Sequence, residues 1–224
     1  MLSEQYFSVL EKVEQKILLV GRSLEEVKVV AVSKFQTLEA IRELYQLGCQ
    51  NFGESRVQEG LPKIIQLMYQ PNWHFIGTLQ TNKVAKVVKY FDLVHSVDSI
   101  QLAKKISEVS LEQEKITPIL LQVNISLEST KHGLTENEWE KHFDELHEMQ
   151  GLEVQGLMTM APLTTNEKMI RMCFRRLYEL RIKWRNFMKN PAVFHQLSMG
   201  MSNDYLIAIE EGATLLRIGS AIFN

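Results

Sequence analysis

Lys34 follows the strand-like run Val-Lys-Val-Val-Ala-Val-Ser (Val27 to Ser33), on the same face of the strand as Val30 and Val32. An amine that continues an apolar inward row is partly desolvated. Desolvation disfavours the ammonium form and turns the nitrogen into a nucleophile toward an aldehyde. Two glycine-serine turns lie far along the chain. Gly200 and Ser202 belong to Ser-Met-Gly-Met-Ser-Asn-Asp (Ser198 to Asp204), and Gly219 and Ser220 follow Leu-Leu-Arg-Ile (Leu215 to Ile218). Glycine lets the backbone approach a ligand closely, and serine beside free N–H groups suits an anion. An imine-forming lysine beside a phosphate cradle is what pyridoxal phosphate requires. A lysine-imine lyase acting on a phosphorylated sugar would use the same parts.

These residues act together only if a fold brings them together. Segments of strand and helix period alternate with short connections, the pattern of repeated βα units around a parallel sheet. The expected strands are Val27–Ser33, Gln50–Gly53, Asn72–Ile76, Leu93–Ser96, Thr117–Asn124, Glu153–Met160, Val193–Leu197 and Thr214–Ile218. The expected helices are Ser3–Val20, Thr37–Leu47, Val57–Tyr69, Asn82–Tyr90, Ile100–Glu112, Glu136–Met149, Glu167–Met188 and Asp204–Glu211. Thr37 and the pair Ser202-Asn203 read as N-caps, Gly48 and Gly212 as left-handed C-caps. The reading is an α/β chain forming one domain over residues 1–224, a (β/α)8 TIM barrel with an extra N-terminal helix. The eighth helix is missing in this reading, and the N-terminal helix covers the gap. First and last strands are neighbours in a closed barrel. Lys34 and both turns therefore meet at the C-terminal ends of the strands, where such barrels do their chemistry.

Composition narrows the function classes. The 224 residues are 45% hydrophobic, enough for one sizeable core, and 25 basic against 27 acidic residues leave a charge of −2 with no basic block. Nothing forecasts a nucleic-acid partner. Charged residues interrupt the N-terminal apolar run, so neither a signal peptide nor a membrane span is expected, and the protein is read as cytoplasmic. Cys49 and Cys173 fit no ligand or redox spacing and are expected as buried free thiols. His74, His95 and His195 fall on expected strands as hydrogen-bonded core residues, while His142 and His147 lie on different helix faces, so no metal site is expected. Met158, Met160, Met199 and Met201 are expected to line a cavity. Arg171, Arg175 and Arg176 read as the solvated side of a long helix, and Lys83, Lys86 and Lys89 as one helix face.

The motifs together resemble a known family. They are Ala-Val-Ser-Lys (Ala31 to Lys34), Asn-Phe-Gly-Glu-Ser-Arg-Val-Gln-Glu (Asn51 to Glu59) and Trp-His-Phe-Ile-Gly-Thr-Leu-Gln-Thr-Asn-Lys (Trp73 to Lys83), then Val-Asn-Ile-Ser with Lys131 and Gly133. Gly-Leu-Met-Thr-Met-Ala-Pro (Gly156 to Pro162), Leu-Ser-Met-Gly-Met-Ser (Leu197 to Ser202) and Arg-Ile-Gly-Ser-Ala-Ile-Phe (Arg217 to Phe223) complete the set. In order and over essentially the whole chain, they resemble the pyridoxal-phosphate homeostasis proteins, whose barrel is also that of the alanine racemase N-terminal domain. The resemblance implies that Lys34 carries pyridoxal 5'-phosphate as an imine. It further implies that Met201, Ser202, Gly219 and Ser220 hold the phosphate, that Arg217 faces the pyridine nitrogen, and that Asn51 neighbours the ring. Ser55 departs from the family pattern, which usually has Asn there.

The resemblance implies a monomeric carrier or buffer of the cofactor without turnover of its own, with cofactor-dependent apo-enzymes as recipients. The alternative is a racemase-like enzyme on amino acids. A cation facing the ring nitrogen disfavours its protonation and weakens the electron sink. Racemases of this barrel type add a second base from a further β-domain, for which this chain is expected to have no residues. A competing account of Arg217 is a buried structural ion pair with Glu54.

Overall fold

A computed structural model of the chain describes residues 1–67, 69–128 and 131–224. Eight parallel strands close into a barrel in sequence order: β1 (Lys28–Val32), β2 (Asn51–Glu54), β3 (Asn72–Phe75), β4 (Leu93–Val97), β5 (Thr117–Gln122), β6 (Leu152–Met158), β7 (Gln196–Ser198) and β8 (Leu215–Ile218). β1 pairs with β8 through Lys28↔Leu215 to Ala31↔Ile218, which closes the ring. The expected (β/α)8 barrel with an N-terminal helix is the fold observed. Alternation decides which side chains enter it. Val30, Leu93, Leu120, Met158 and Leu215 form an apolar cluster inside, with Met160 packed against it, while Ala31, Phe52, Phe75, Val94, Ile119, Leu121, Leu157 and Leu216 join the larger core between strands and helices.

That larger core is covered by α1 (Leu2–Leu19), α2 (Leu38–Gln46), α3 (Val57–Gln66), α4 (Val84–Tyr90), α5 (Ile100–Glu112), α6 (Glu136–Glu140), α7 (Phe143–Glu148), α8 (Glu167–Arg185), α9 (Tyr205–Glu210) and α10 (Ser220–Phe223). α1 buries Tyr6, Val9, Val13 and Ile17, a stripe at helical spacing, and packs on α9, α10 and α2. The Lys16–Glu210 ion pair at 2.6 Å and an Arg22 Nη1 bond to the Ile209 carbonyl at 3.0 Å fasten it to α9. Thr37 caps α2 as expected, its Oγ1 accepting from Ala40 N at 3.3 Å. Gly48 and Gly212 adopt φ of 100° and 92°, the left-handed values a C-cap needs.

Several boundaries differ from the sequence reading. The expected helix Glu136–Met149 breaks at Lys141 and His142 into α6 and α7; buried Trp139 of α6 donates its indole N–H to the Gln122 carbonyl at 3.0 Å, and Phe143 of α7 packs edge-on against Trp184. α3 ends at Gln66, short of the expected Tyr69; Met68 lies outside the described residues. α4 begins two residues after the expected Asn82, following a 3-10 turn over Thr81–Lys83. β7 runs Gln196–Ser198 instead of Val193–Leu197, which leaves His195 in the preceding turn, exposed and outside the core. The barrel does end in a short helix, α10, which the sequence reading omitted. Ser202 and Asn203 do not cap α9; Asp204 stands at that position. Nor do the α8 arginines simply face solvent: Arg171 pairs with Glu210 and Glu211, Arg175 with Glu211, and Arg176 with Glu136.

No helix among the described residues is long and apolar enough to cross a membrane. No group of three or more His, Cys, Asp or Glu among them suits a metal ion. Cys49 and Cys173 are free and buried, and burial pushes both thiols up to about 11.

Candidate cofactor site

The mouth of the barrel at β1, β7 and β8 is built from backbone N–H groups and one buried guanidinium. Ser202 Oγ accepts from Gly219 N at 3.3 Å and from Ala221 N at 3.2 Å, so the turns after β7 and β8 converge on one oxygen. The contact gathers one serine hydroxyl and two backbone N–H groups at one point, donor types that suit a phosphate. Gly200 (φ 93°) makes the approach: a Cβ there would lie 2.6 Å from Ala208 Cβ. Gly219 packs against β1 less tightly, where a Cβ would come 3.3 Å from Val32 Cβ. Ser220 follows, exposed at the start of α10. Met201 is 39% exposed, and its N–H is already engaged, donating to Asp204 Oδ1 at 2.5 Å. Of the expected phosphate residues, Ser202, Gly219 and Ser220 therefore share one turn cluster, and Met201 borders it.

Beneath that cluster lies Arg217, buried on β8 and held by Ser198 and Thr159. Its Nη1 donates to Ser198 Oγ at 2.5 Å and its Nη2 to the Thr159 carbonyl at 3.0 Å. Burial lowers the guanidinium to about 10, with Asp204 opposing the shift, so it remains a cation at neutral pH. The ion pair with Glu54 does not form; Glu54 bonds to Lys63 at 2.8 Å, on the other side of the barrel wall.

Arg217 also ends a chain of buried groups that crosses the barrel to Asn51. Ser198 Oγ, already accepting from arginine, donates to His95 Nδ1 at 2.7 Å. His95 Nε2 then donates to His74 Nδ1 at 2.8 Å, and His74 Nε2 to Asn51 Oδ1 at 3.2 Å. Because Asn51 Oδ1 can only accept and a neutral imidazole has one N–H, both imidazoles carry their proton on Nε2. Burial keeps them neutral. It lowers His74 to about 4, with help from Lys28, and takes His95 well below its ordinary value, with His74 and Arg217 adding to the effect. These two are the hydrogen-bonded core histidines the sequence implied. Asn51, expected beside the ring, instead opens β2 at the strand's N-terminal end, where Asn72 Nδ2 also donates to it at 3.3 Å. The structure does not bring it to the turn cluster.

Lys34 sits two residues past the end of β1, strand neighbour to β8, in the turn that leads to α2. It is exposed, so the desolvation expected for its amine is not present in the chain alone. Sequence reasoning missed Ser198, Thr159 and Asp204. Ser198 had a signal: extending β7 by one residue puts it on the inward face, level with Leu215. The four methionines divide, with Met158 and Met160 inside the barrel, Met199 in the outer core and Met201 exposed.

Residues 9–224 match the family described as alanine racemase, N-terminal domain. The pyridoxal phosphate homeostasis protein of Aquifex aeolicus is 39% identical over 222 residues, covering 99% of this chain and 96% of that one, and its namesake from Pseudomonas aeruginosa is 34% identical over 224 residues, 100% of this chain and 95% of that one. Among solved structures, PipY of Synechococcus elongatus with pyridoxal phosphate bound superposes with a TM-score of 0.87 at 30% identity over all of both chains. The Clostridium difficile alanine racemase shares the fold, with a TM-score of 0.72 at 16% identity, 93% of this chain covering 57% of that one. The chain belongs to the pyridoxal phosphate homeostasis protein family, built on the alanine racemase N-terminal barrel.

Proposed function

We propose that this protein binds pyridoxal 5'-phosphate at the mouth of its barrel and serves in cofactor homeostasis as a carrier or buffer, without turnover of its own. The observation that carries the reading is the convergence of Gly219 N and Ala221 N on Ser202 Oγ, directly above the buried cation Arg217 and beside the strand that leads to Lys34. Ser202, Gly219 and Ser220 hold the phosphate, with Met201 at its edge. Lys34 is the covalent anchor. When bound, pyridoxal phosphate supplies an aldehyde that condenses with a primary amine, with loss of water. Arg217 meets the pyridine nitrogen as a donor, and Asn51 acts on the ring only through the His74–His95–Ser198 chain that orients Arg217.

Arg217 supports the reading without turnover, together with the lack, in that reading, of the second base that racemases of this barrel type add to the same arrangement. A guanidinium that stays charged at neutral pH cannot hand a proton to the ring nitrogen, so the ring is left a poor electron sink for proton loss from a bound amino acid. The carrier works as a monomer, and apo-enzymes that need the cofactor are its recipients. Two buried, unpaired thiols suit the reducing cytoplasm as its place of action.

Purified protein loaded with pyridoxal phosphate and then freed of unbound cofactor is expected to retain a near-visible absorbance band that Lys34→Ala abolishes. In heavy water with common L- and D-amino acids, the loaded protein is expected to leave the α-proton in place. Rapid deuterium incorporation that disappears in Lys34→Ala would identify an enzyme.

A further inference from the structure

Outside the barrel wall, between β1, β2 and α3, lies a buried charged cluster that the cofactor site does not use. Glu54, fully buried at the end of β2, accepts on Oε1 from Lys63 Nζ of α3 at 2.8 Å and from Ser33 Oγ at 2.7 Å. The same Lys63 Nζ donates to the Ser33 backbone carbonyl at 2.8 Å. α3 makes room for the carboxylate with Gly60, where a Cβ would lie 2.9 Å from Glu54 Cγ. The other carboxylate oxygen, Oε2, has no hydrogen-bond partner among the described residues. A buried pair with an unsatisfied oxygen is a costly arrangement for stability alone, and apolar residues of similar volume would fill the space at least as well.

Its three bonds all end on Ser33 or on each other, and Ser33 immediately precedes Lys34. Ser33 O also accepts from Gln36 N at 3.0 Å, closing a four-residue turn whose third residue, Phe35, takes φ of 64°. A non-glycine residue in the left-handed region stays there only when its surroundings hold it. They do so from both sides. Lys63 and Glu54 grip the first residue of the turn, and the Arg56 guanidinium lies 5.7 Å over the Phe35 ring. The residue between those two grips is Lys34.

We infer that Glu54 and Lys63 are positioning residues for Lys34. Their ion pair locks the Ser33 carbonyl and hydroxyl, and so fixes the turn that aims the Lys34 amine at the cofactor's aldehyde. The proposal rests on Lys34 being the anchor. It separates covalent capture from phosphate binding: the clamp's hydrogen bonds outside the ion pair end on Ser33, while Ser202 bonds to Gly219 and Ala221.

The test compares two probes on the full chain freed of cofactor. Pyridoxal 5'-phosphate carries the aldehyde; pyridoxine 5'-phosphate has the same ring and phosphate with an alcohol in its place. In the double variant Glu54→Gln/Lys63→Met, which removes both charges together, affinity for the aldehyde form is expected to fall by about tenfold, the scale of one charge-assisted hydrogen bond, with the alcohol form bound as by wild type. Ser33→Ala keeps the ion pair and removes one bond. It is expected to show a smaller loss with the same selectivity, and it carries the test should the double variant not fold. Equal losses for both probes, or no loss for either, would overturn the clamp. Peptide mapping of borohydride-reduced wild type is run alongside, because a label away from Lys34 overturns the underlying anchor reading instead.

Discussion

Ser202 and His74 carry the two consequences most easily measured one residue at a time. The Ser202 hydroxyl gathers two backbone N–H groups into the place where the phosphate is proposed to sit. Ser202→Ala is expected to cost about 1–3 kcal/mol of pyridoxal phosphate binding, as for a hydrogen bond to a charged group, while leaving the melting temperature near that of wild type. Pyridoxal, without the phosphate, should bind far more weakly than its phosphate, and equal affinity would remove the cradle from the account. His74 predicts a pH dependence. Its ordinary value is 6.5 and burial lowers it to about 4, so between those two values the unfolded chain binds more protons than the native one. Stability therefore falls as pH drops through that window and is retained above it, by roughly 3 kcal/mol for a shift of this size. His95 adds in the same direction. Replacing His74 with Gln, which can hydrogen-bond but does not titrate here, should flatten the slope in denaturant melts between pH 6.5 and 4.5. An unchanged slope would mean that the histidine pair is not buried in its neutral form.

At the scale of elements, the turn between β7 and α9 is held open by Gly200, whose φ of 93° and contact with Ala208 leave no room for a side chain. Gly200→Ala is expected to destabilise the fold by about 1–3 kcal/mol and to weaken cofactor binding as well, because the Ser202 turn moves with it. A variant with native stability and native affinity would show that the turn tolerates a Cβ. The strands themselves were legible in the sequence because burial on both faces leaves short apolar runs between helical stretches, and parity then named Val30, Leu215 and Arg217 as inward residues. β7 was misplaced because Val193-Phe194 reads as strand; the structure puts both residues in a turn, with Phe194 buried. The single helix expected over Glu136–Met149 is interrupted at Lys141 and His142, although Trp139 and Phe143, four residues apart, keep the spacing of one helical stripe across the break.

For the whole molecule, barrel closure decides what could be read from the chain and what could not. Eight βα units and the glycine turns announced the architecture and located Lys34, Ser202, Gly219 and Ser220 near one another, because strand order alone makes β1 and β8 neighbours. Contacts that exist only once the ring closes left no local trace. The link from Arg217 through Ser198, His95 and His74 to Asn51 joins five strands, and the Glu54–Lys63 pair joins a strand to a helix with no periodic spacing between them. Asn51 is one end of that link, its side chain tied to His74 at the N-terminal end of β2. The proposed chemistry falls on one lysine, since Lys34, among the described residues, follows the end of β1, the strand paired with β8. The most direct test is to load the protein with pyridoxal phosphate, reduce it with borohydride and map the pyridoxyl group by peptide mass spectrometry. The account predicts a single label on the peptide containing Lys34, absent in Lys34→Ala, whereas a label on another lysine, or full labelling of the variant, would contradict it.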